Sequence, residues 1–256
     1  EAGVGAREDA TLATGNVALT LVTPIGADHL GTLGSNLEEI ALDKAAAIRR
    51  GVPAASAAQV PLVRGVLVQE AARQGTVIHF DEPGSGLFEP PAGAVLPADP
   101  VRRQNARLAT AGLRLLGVGD EYLPAVYALA PLPGRGEPFE VAGRRVLLDG
   151  AHDPAAAAAL RGRVDGPYTL LFGALKRKQG AATLRELEGA ALHVVVTRAA
   201  GEEPVPAPAG ATYVEDAARA LEHALDLTPT GGTLVIAGSL YLAGELRPLL
   251  RRVAPE

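Results

Sequence analysis

Several residue groups in this sequence carry side chains that could do chemistry. Lys44 falls at i+7 on a helix-spaced apolar stripe of Leu37, Ile40, Ala41 and Ile48. A lysine there must snorkel to water, find a carboxylate or lose its charge. Snorkelling is the plain structural outcome; the other two would make the residue functional. His29 follows Asp28 in a loop fifteen residues before Lys44, where an ordinary surface histidine is the alternative. With the acidic Glu1, these two could hold a hard cation only if Lys44 gave up its positive charge. Asp149 and His152 lie in a Gly-Ala bend that ends an apolar run. The bend could turn both side chains toward a ligand, and an Asx-type turn accounts for the same residues without one. Lys176, Arg177 and Lys178 read most simply as a solvated charge run.

The elements that must position these residues differ between the two halves. In the second half, short apolar runs at Arg145–Asp149, Tyr168–Gly173, His193–Thr197, Ala211–Val214 and Thr233–Ala237 alternate with helix-spaced stretches at Asp153–Arg161, Ala182–Leu187 and Asp216–Leu225. That alternation predicts βαβ units, a mainly parallel sheet and helices on both faces. Ligands of such sheets gather beyond the carboxyl ends of the strands. The polar and glycine-rich segments from Asp149 to Pro154, Gly173 to Lys178, Thr197 to Arg198 and Gly238 to Tyr241 all follow strands in this way. The first half predicts a strand at Val17–Val22, a helix opened by a capping box at Ser35–Glu38 and running to about Arg50, and a helix at Pro61–Gln74. A strand at Thr76–Phe80, a Gly/Pro-rich loop at Asp81–Pro100 and a helix at Asp99–Leu116 follow. The segment from Pro131 to Gly136 reads as a linker, which gives domains of 1–131 and 132–256.

Composition excludes several classes. The 256 residues carry a net charge of −5 with no long basic run, against nucleic acid as a partner. No apolar run approaches a membrane span, and no signal peptide opens the chain. Zero Cys removes disulfides, thiolate metal sites and cysteine nucleophiles, and fits a reducing, cytoplasmic location. The absence of Met from so long a chain is read as the mark of a fragment.

The motifs together resemble the folylpolyglutamate synthase/dihydrofolate synthase family of the Mur ligase superfamily. Glu1 to Thr11 (E-A-G-V-G-A-R-E-D-A-T) is similar to the family's E-V-G-x-G-G-R-x-D-A-T. Thr23 to His29, Leu33-Gly34 and Ile40 to Ala45 resemble I-T-x-I-x-x-D-H, L-G and I-A-x-E-K-A. Pro133-Gly134-Arg135 resembles a P-G-R linker, Asp149 to Pro154 the D-G-A-H-N-P motif, and Gly238 to Tyr241 a late G-S-L-Y. The order of motifs is the family's along the whole chain.

The resemblance implies an α/β architecture: part of a Mur-ligase-type central ATPase domain followed by a Rossmann-like, doubly wound C-terminal domain. It implies an ATP-dependent ligase in folate biosynthesis that phosphorylates a dihydropteroate or folate carboxylate and couples it to L-glutamate. Under it, Glu1 would be a ligand of a first Mg²⁺ and His29 of a second. Lys44 would be a carbamylated lysine near that second metal, and Lys44 and His29 would be the catalytic residues. Asn105, Arg135, Asp149 and His152 would serve ATP, with Arg135 on the phosphates, and Gly238–Tyr241 is a candidate for the glutamate site. A soluble monomer is expected.

There are departures from the family pattern. The family's phosphate loop, G-x-x-x-x-G-K-S/T, does not occur in the sequence, so the chain alone is expected not to turn over. Ala6 stands for Gly, Asp43 for Glu, Ala46 for Gly, Arg102 for Gln and Asp153 for Asn; Asp153 would add negative charge near the nucleotide. Two other readings remain at this point: another Mur-type ligase, or a non-catalytic remnant.

Overall fold

The computed structural model describes residues 5–7, 9–26, 31–129, 132–175 and 179–253. Backbone contacts divide the chain into two α/β units, Glu1–Leu129 and Ala130–Glu256.

The first unit is built on a three-stranded parallel sheet of β1 (Thr20–Val22), β2 (Ala54–Ser56) and β3 (Ile78–Phe80), in that order. Helices α1 (Leu37–Ala45) and α2 (Pro61–Arg73) pack on one face, where Val22 and Phe80 meet Ile40, Val63 and Leu67. Helix α3 (Pro100–Leu115) covers the other face, with Leu108 and Ala111 against Ala55. A short α4 (Pro124–Ala128) ends the unit.

Two expectations are corrected here. The capping box lies one residue later than expected: Asn36 caps α1 by accepting from the Glu39 amide at 3.0 Å, and Glu39 reaches back to the Ser35 amide. The central strand β2 falls in what the sequence gives as a plain connection. Its Ala-Ala-Ser residues have little intrinsic strand preference, and all three are buried between two parallel neighbours.

The second unit is a six-stranded sheet with helices on both faces. Its strands are β4 (Glu137–Val141), β5 (Arg144–Leu148), β6 (Tyr168–Phe172), β7 (Ala191–Val196), β8 (Thr212–Tyr213) and β9 (Thr233–Ala237), in spatial order β4-β5-β9-β6-β7-β8. All neighbours are parallel except β4 with β5. Strand β4 is an addition to the expected set. It pairs through a two-residue turn at Ala142 and Gly143, both at positive φ, the geometry whose twist suits a tight hairpin.

Helices α5 (Pro154–Arg161) and α6 (Gly180–Glu188) pack on one face. Helices α7 (Ala217–Leu227) and α8 (Leu240–Val253) pack on the other. Strands β6 and β9 are central, and their alternate residues supply both cores, Leu170 and Phe172 to one and Leu171 to the other. From β5 the chain crosses to β6, and β9 later returns between them. The helices that follow β5 and β9 therefore leave on opposite faces, and this switch point is where such sheets open a crevice for ligands.

Leu170→Ala removes a fully buried side chain at the centre of this sheet and is expected to cost about 2–5 kcal/mol. Leu192→Ala, exposed on β7, is expected to cost less than about 0.5 kcal/mol. Equal losses in urea unfolding would contradict the core assignment.

Candidate active site

Asp149 ends β5 at the switch point, almost fully buried. Its Oδ1 accepts from the Ala151 amide at 2.8 Å, which is the Asx turn expected on structural grounds. Its Oδ2 accepts from Arg163 Nη1 at 3.2 Å, and the Gly136 amide faces the carboxylate and favours its charged form. Burial pushes the carboxyl above the usual aspartate value, against the pull of the Ala151 amide and of the Arg163 and Arg135 charges. In the same turn, His152 Nδ1 lies 3.0 Å from the Gly150 carbonyl. A bond there makes Nδ1 the donor, so in the neutral ring Nε2 is the acceptor.

The linker turn is fastened beside this one. The Gly150 amide donates to Gly134 O at 2.8 Å, and the Gly134 amide donates to Glu137 Oε2 at 2.9 Å. Glu137 in turn accepts from Arg247 Nε on α8, at 2.9 and 2.8 Å to its two oxygens. Burial raises the Glu137 carboxyl, but the Arg247 hydrogen bond and the Gly134 amide outweigh it and hold the group below its ordinary value. Arg135, exposed at the tip, is thus carried on a turn anchored at both ends. The structure brings Arg135, Asp149 and His152 to one edge of the second unit.

The turn after β9 closes the same edge. The Gly238 amide donates to Ala151 O at 2.9 Å. Gly238 has φ +112, and a Cβ there would overlap Gly173 O, so only glycine allows this approach. Ser239 is buried, and its Oγ accepts from the Tyr241 amide at 3.1 Å. Beyond β7, a cavity of about 500 Å³ is lined by Arg198, Glu215, Asp216, Arg219 and Glu245. There Arg198 pairs with Glu215 at 2.6 Å.

In the first unit, Lys44 is half-buried on α1, between the buried Ala41 and Ala45. The preceding Asp43 receives the Ala6 amide at 2.7 Å and the Arg7 amide at 3.4 Å. The opening segment is thereby tied to α1 one residue from Lys44. A side chain at Gly5 would strike Leu33 and Asp43. Asn105 is exposed on α3, on the opposite sheet face from α1. Glu1, Asp28, His29 and Lys176 to Lys178 lie outside the described residues. Among the described residues, no three His, Asp or Glu side chains gather as a metal cluster.

No family model matches the chain. The dihydrofolate synthase/folylpolyglutamate synthase of Bacillus subtilis is 30% identical over 223 residues, covering 73% of this chain and 50% of its own. That of Escherichia coli is 33% identical over 209 residues, covering 73% and 48%. The Mycobacterium tuberculosis folylpolyglutamate synthase solved with ADP superposes with a TM-score of 0.82 at 25% identity, over 99% of this chain and 68% of that one. The chain belongs to the folylpolyglutamate synthase/dihydrofolate synthase family. It spans about half the length of the curated relatives it matches.

Within this family frame, several departures have structural uses. Asp153 caps α5 by accepting from the Ala156 amide at 2.9 Å, a position where Asp and Asn serve alike and a negative charge is favoured. Arg102 donates to Leu129 O at the end of the first unit. Asp43 holds the opening segment, and Arg163, Glu137 and Arg247 fasten the linker turn. Arg163, Glu137 and Arg247 lie outside every motif, and only their place in the fold shows what they touch.

Glu137→Gln tests the linker anchor. Because the folded Glu137 value is depressed, its stabilisation is present above the ordinary 4.5 and is lost as pH falls through the folded value. The substitution is expected to cost about 1–3 kcal/mol at neutral pH, and the difference from the parent should shrink in acid. A penalty that is constant with pH in chemical denaturation would show that the charge is not what holds the turn.

Proposed function

We propose that this chain takes part in the ATP-dependent joining of L-glutamate to the carboxylate of a folate or dihydropteroate. The observation that carries the reading is the anchored cluster of Arg135, Asp149 and His152 at the switch point, in a chain of this family. In the proposed reaction a substrate carboxylate oxygen attacks the γ-phosphorus of ATP, ADP leaves, and an acyl phosphate forms. The glutamate amine then attacks the acyl carbon, losing a proton as phosphate departs and the amide forms.

Such transfers depend on positioning and charge neutralisation. Arg135 offers a fork of donors to the nucleotide phosphates, and its anchored turn lowers the entropy lost when it engages them. Asp149 and His152 provide a fixed acceptor pair beside it, for a ribose or amine hydrogen. Asn105 on α3 is assigned to ATP as well.

Glu1, His29 and Lys44 are assigned to divalent metal, taken as Mg²⁺, which when bound neutralises phosphate oxygens. The donor chemistry fits if Lys44 carries a carbamate, which turns its cation into a carboxylate-like ligand. The tie between Asp43 and residues 6 and 7 supports this assignment, because it brings Ala6 and Arg7 to the Lys44 end of α1.

The deciding experiment is a glutamate-dependent ATPase assay on the full-length product of the reading frame, comparing dihydropteroate with tetrahydrofolate. Release of phosphate only when both glutamate and a pterin substrate are present supports the ligase; glutamate-independent hydrolysis opposes it. In that protein Arg135→Ala is expected to raise the ATP KM at least about tenfold, the loss of one charged phosphate contact. Lys44→Ala is expected to lower turnover about a hundredfold or more, without rescue by bicarbonate. Unaltered turnover would remove the carbamate assignment.

A further inference from the structure

The turn that follows α5 holds two arginines with different tasks. Arg161 lies along α6, donating to Glu186 O at 3.2 Å. Arg163 points the other way, mostly buried, with Nη1 at 3.2 Å from Asp149 Oδ2. Its guanidinium also packs closely against Gly136, where a Cβ would overlap Nη2 and where φ is +64. Gly136 follows Arg135, and its amide faces the same Asp149 carboxylate. One guanidinium therefore meets the turn after β5, the linker turn and the exit of α5.

We propose that Arg163 is the positioning residue of this edge, tying the Asp149 turn to the Gly134–Gly136 turn and so setting where Arg135 projects. This rests on the reading that Asp149 and Arg135 serve the nucleotide. The guanidinium fork is needed because one terminal nitrogen, Nη1, meets the carboxylate while the other, Nη2, fills the space beside Gly136. A lysine ammonium is a point donor and does the first task only. The glycine at 136 makes room for that second nitrogen, since any side chain would displace the guanidinium. The charged and titratable groups facing Asp149 are Arg163 and Arg135, with His152 in its own turn and Glu137 just beyond the linker turn.

The test is NMR on the isotopically labelled chain, following the Asp149 carboxyl carbon through a pH titration and the Arg135 Nε resonance at fixed pH. R163Q is expected to raise the Asp149 midpoint by about one pH unit or more and to shift the Arg135 resonance. R163K is expected to keep the parental midpoint while still shifting Arg135. R161Q, which removes the same charge two residues away, is expected to change neither. An unmoved Arg135 resonance in R163K overturns the proposal even if R163Q does not fold. An unmoved Asp149 midpoint in a folded R163Q overturns it as well. Neither readout needs catalysis, so failure of the ligase reading in the ATPase assay leaves this result standing and is told apart from it.

Discussion

A carboxylate taken out of water must find its donors inside the protein, and in this chain that requirement falls on Asp149. Leaving an ionised carboxylate unpaired in a buried site costs several kcal/mol. The Ala151 amide and a guanidinium bond to it and the Gly136 amide faces it, and these come from three separate stretches of chain. Meeting the charge and assembling the edge are therefore one event. The linker turn is held where Gly134 O takes the Gly150 amide and the Gly136 amide faces the carboxylate, the α5 exit is held where Arg163 reaches it, and Arg135 is placed as a result. The site follows from satisfying one buried group.

The same edge is closed by backbone contact as well as by charge. Gly238 sits against Gly173 O, and Gly150 sits so close to Leu240 that a side chain would collide with it. These approaches place the turns after β5, β6 and β9 within hydrogen-bonding reach of one another, which no arrangement of longer side chains would permit. In the first unit a smaller version of the same logic operates. There Asp43 accepts two backbone amides and draws the opening segment onto α1.

Much of the second unit was legible because its signals are local. Runs such as Tyr168 to Phe172 are apolar and rich in strand-forming residues, and helices open on Asp153 and Asp216, whose side chains cap them. Asp149 and His152 stood out because polar residues after a strand end have few other reasons to be there. What stayed hidden depends on tertiary context. Strand β2 is Ala-Ala-Ser, and becomes a strand because two parallel neighbours pair with it and both faces are covered. Strand β4 begins directly after the linker and mixes Glu and Pro with apolar residues, so no clear alternation announces it. Arg163 looks like an ordinary basic residue near a helix end. Only the three-dimensional path of the linker gives it a second face to cover.

The Glu137–Arg247 pair joins residues 110 positions apart, linking the first strand of the second unit to its last helix. During synthesis the strand emerges long before its partner, so the linker turn has no final anchor until α8 has left the ribosome. Closing so long a loop is slow relative to local helix and hairpin formation. The central strand β9 must likewise return to β5 from far along the chain, so the sheet and its carboxyl edge are completed late, and the Arg135 turn is among the last parts of the unit to mature. A nascent chain that ends between β9 and Arg247 would hold the strands of this unit without the anchor of its linker turn.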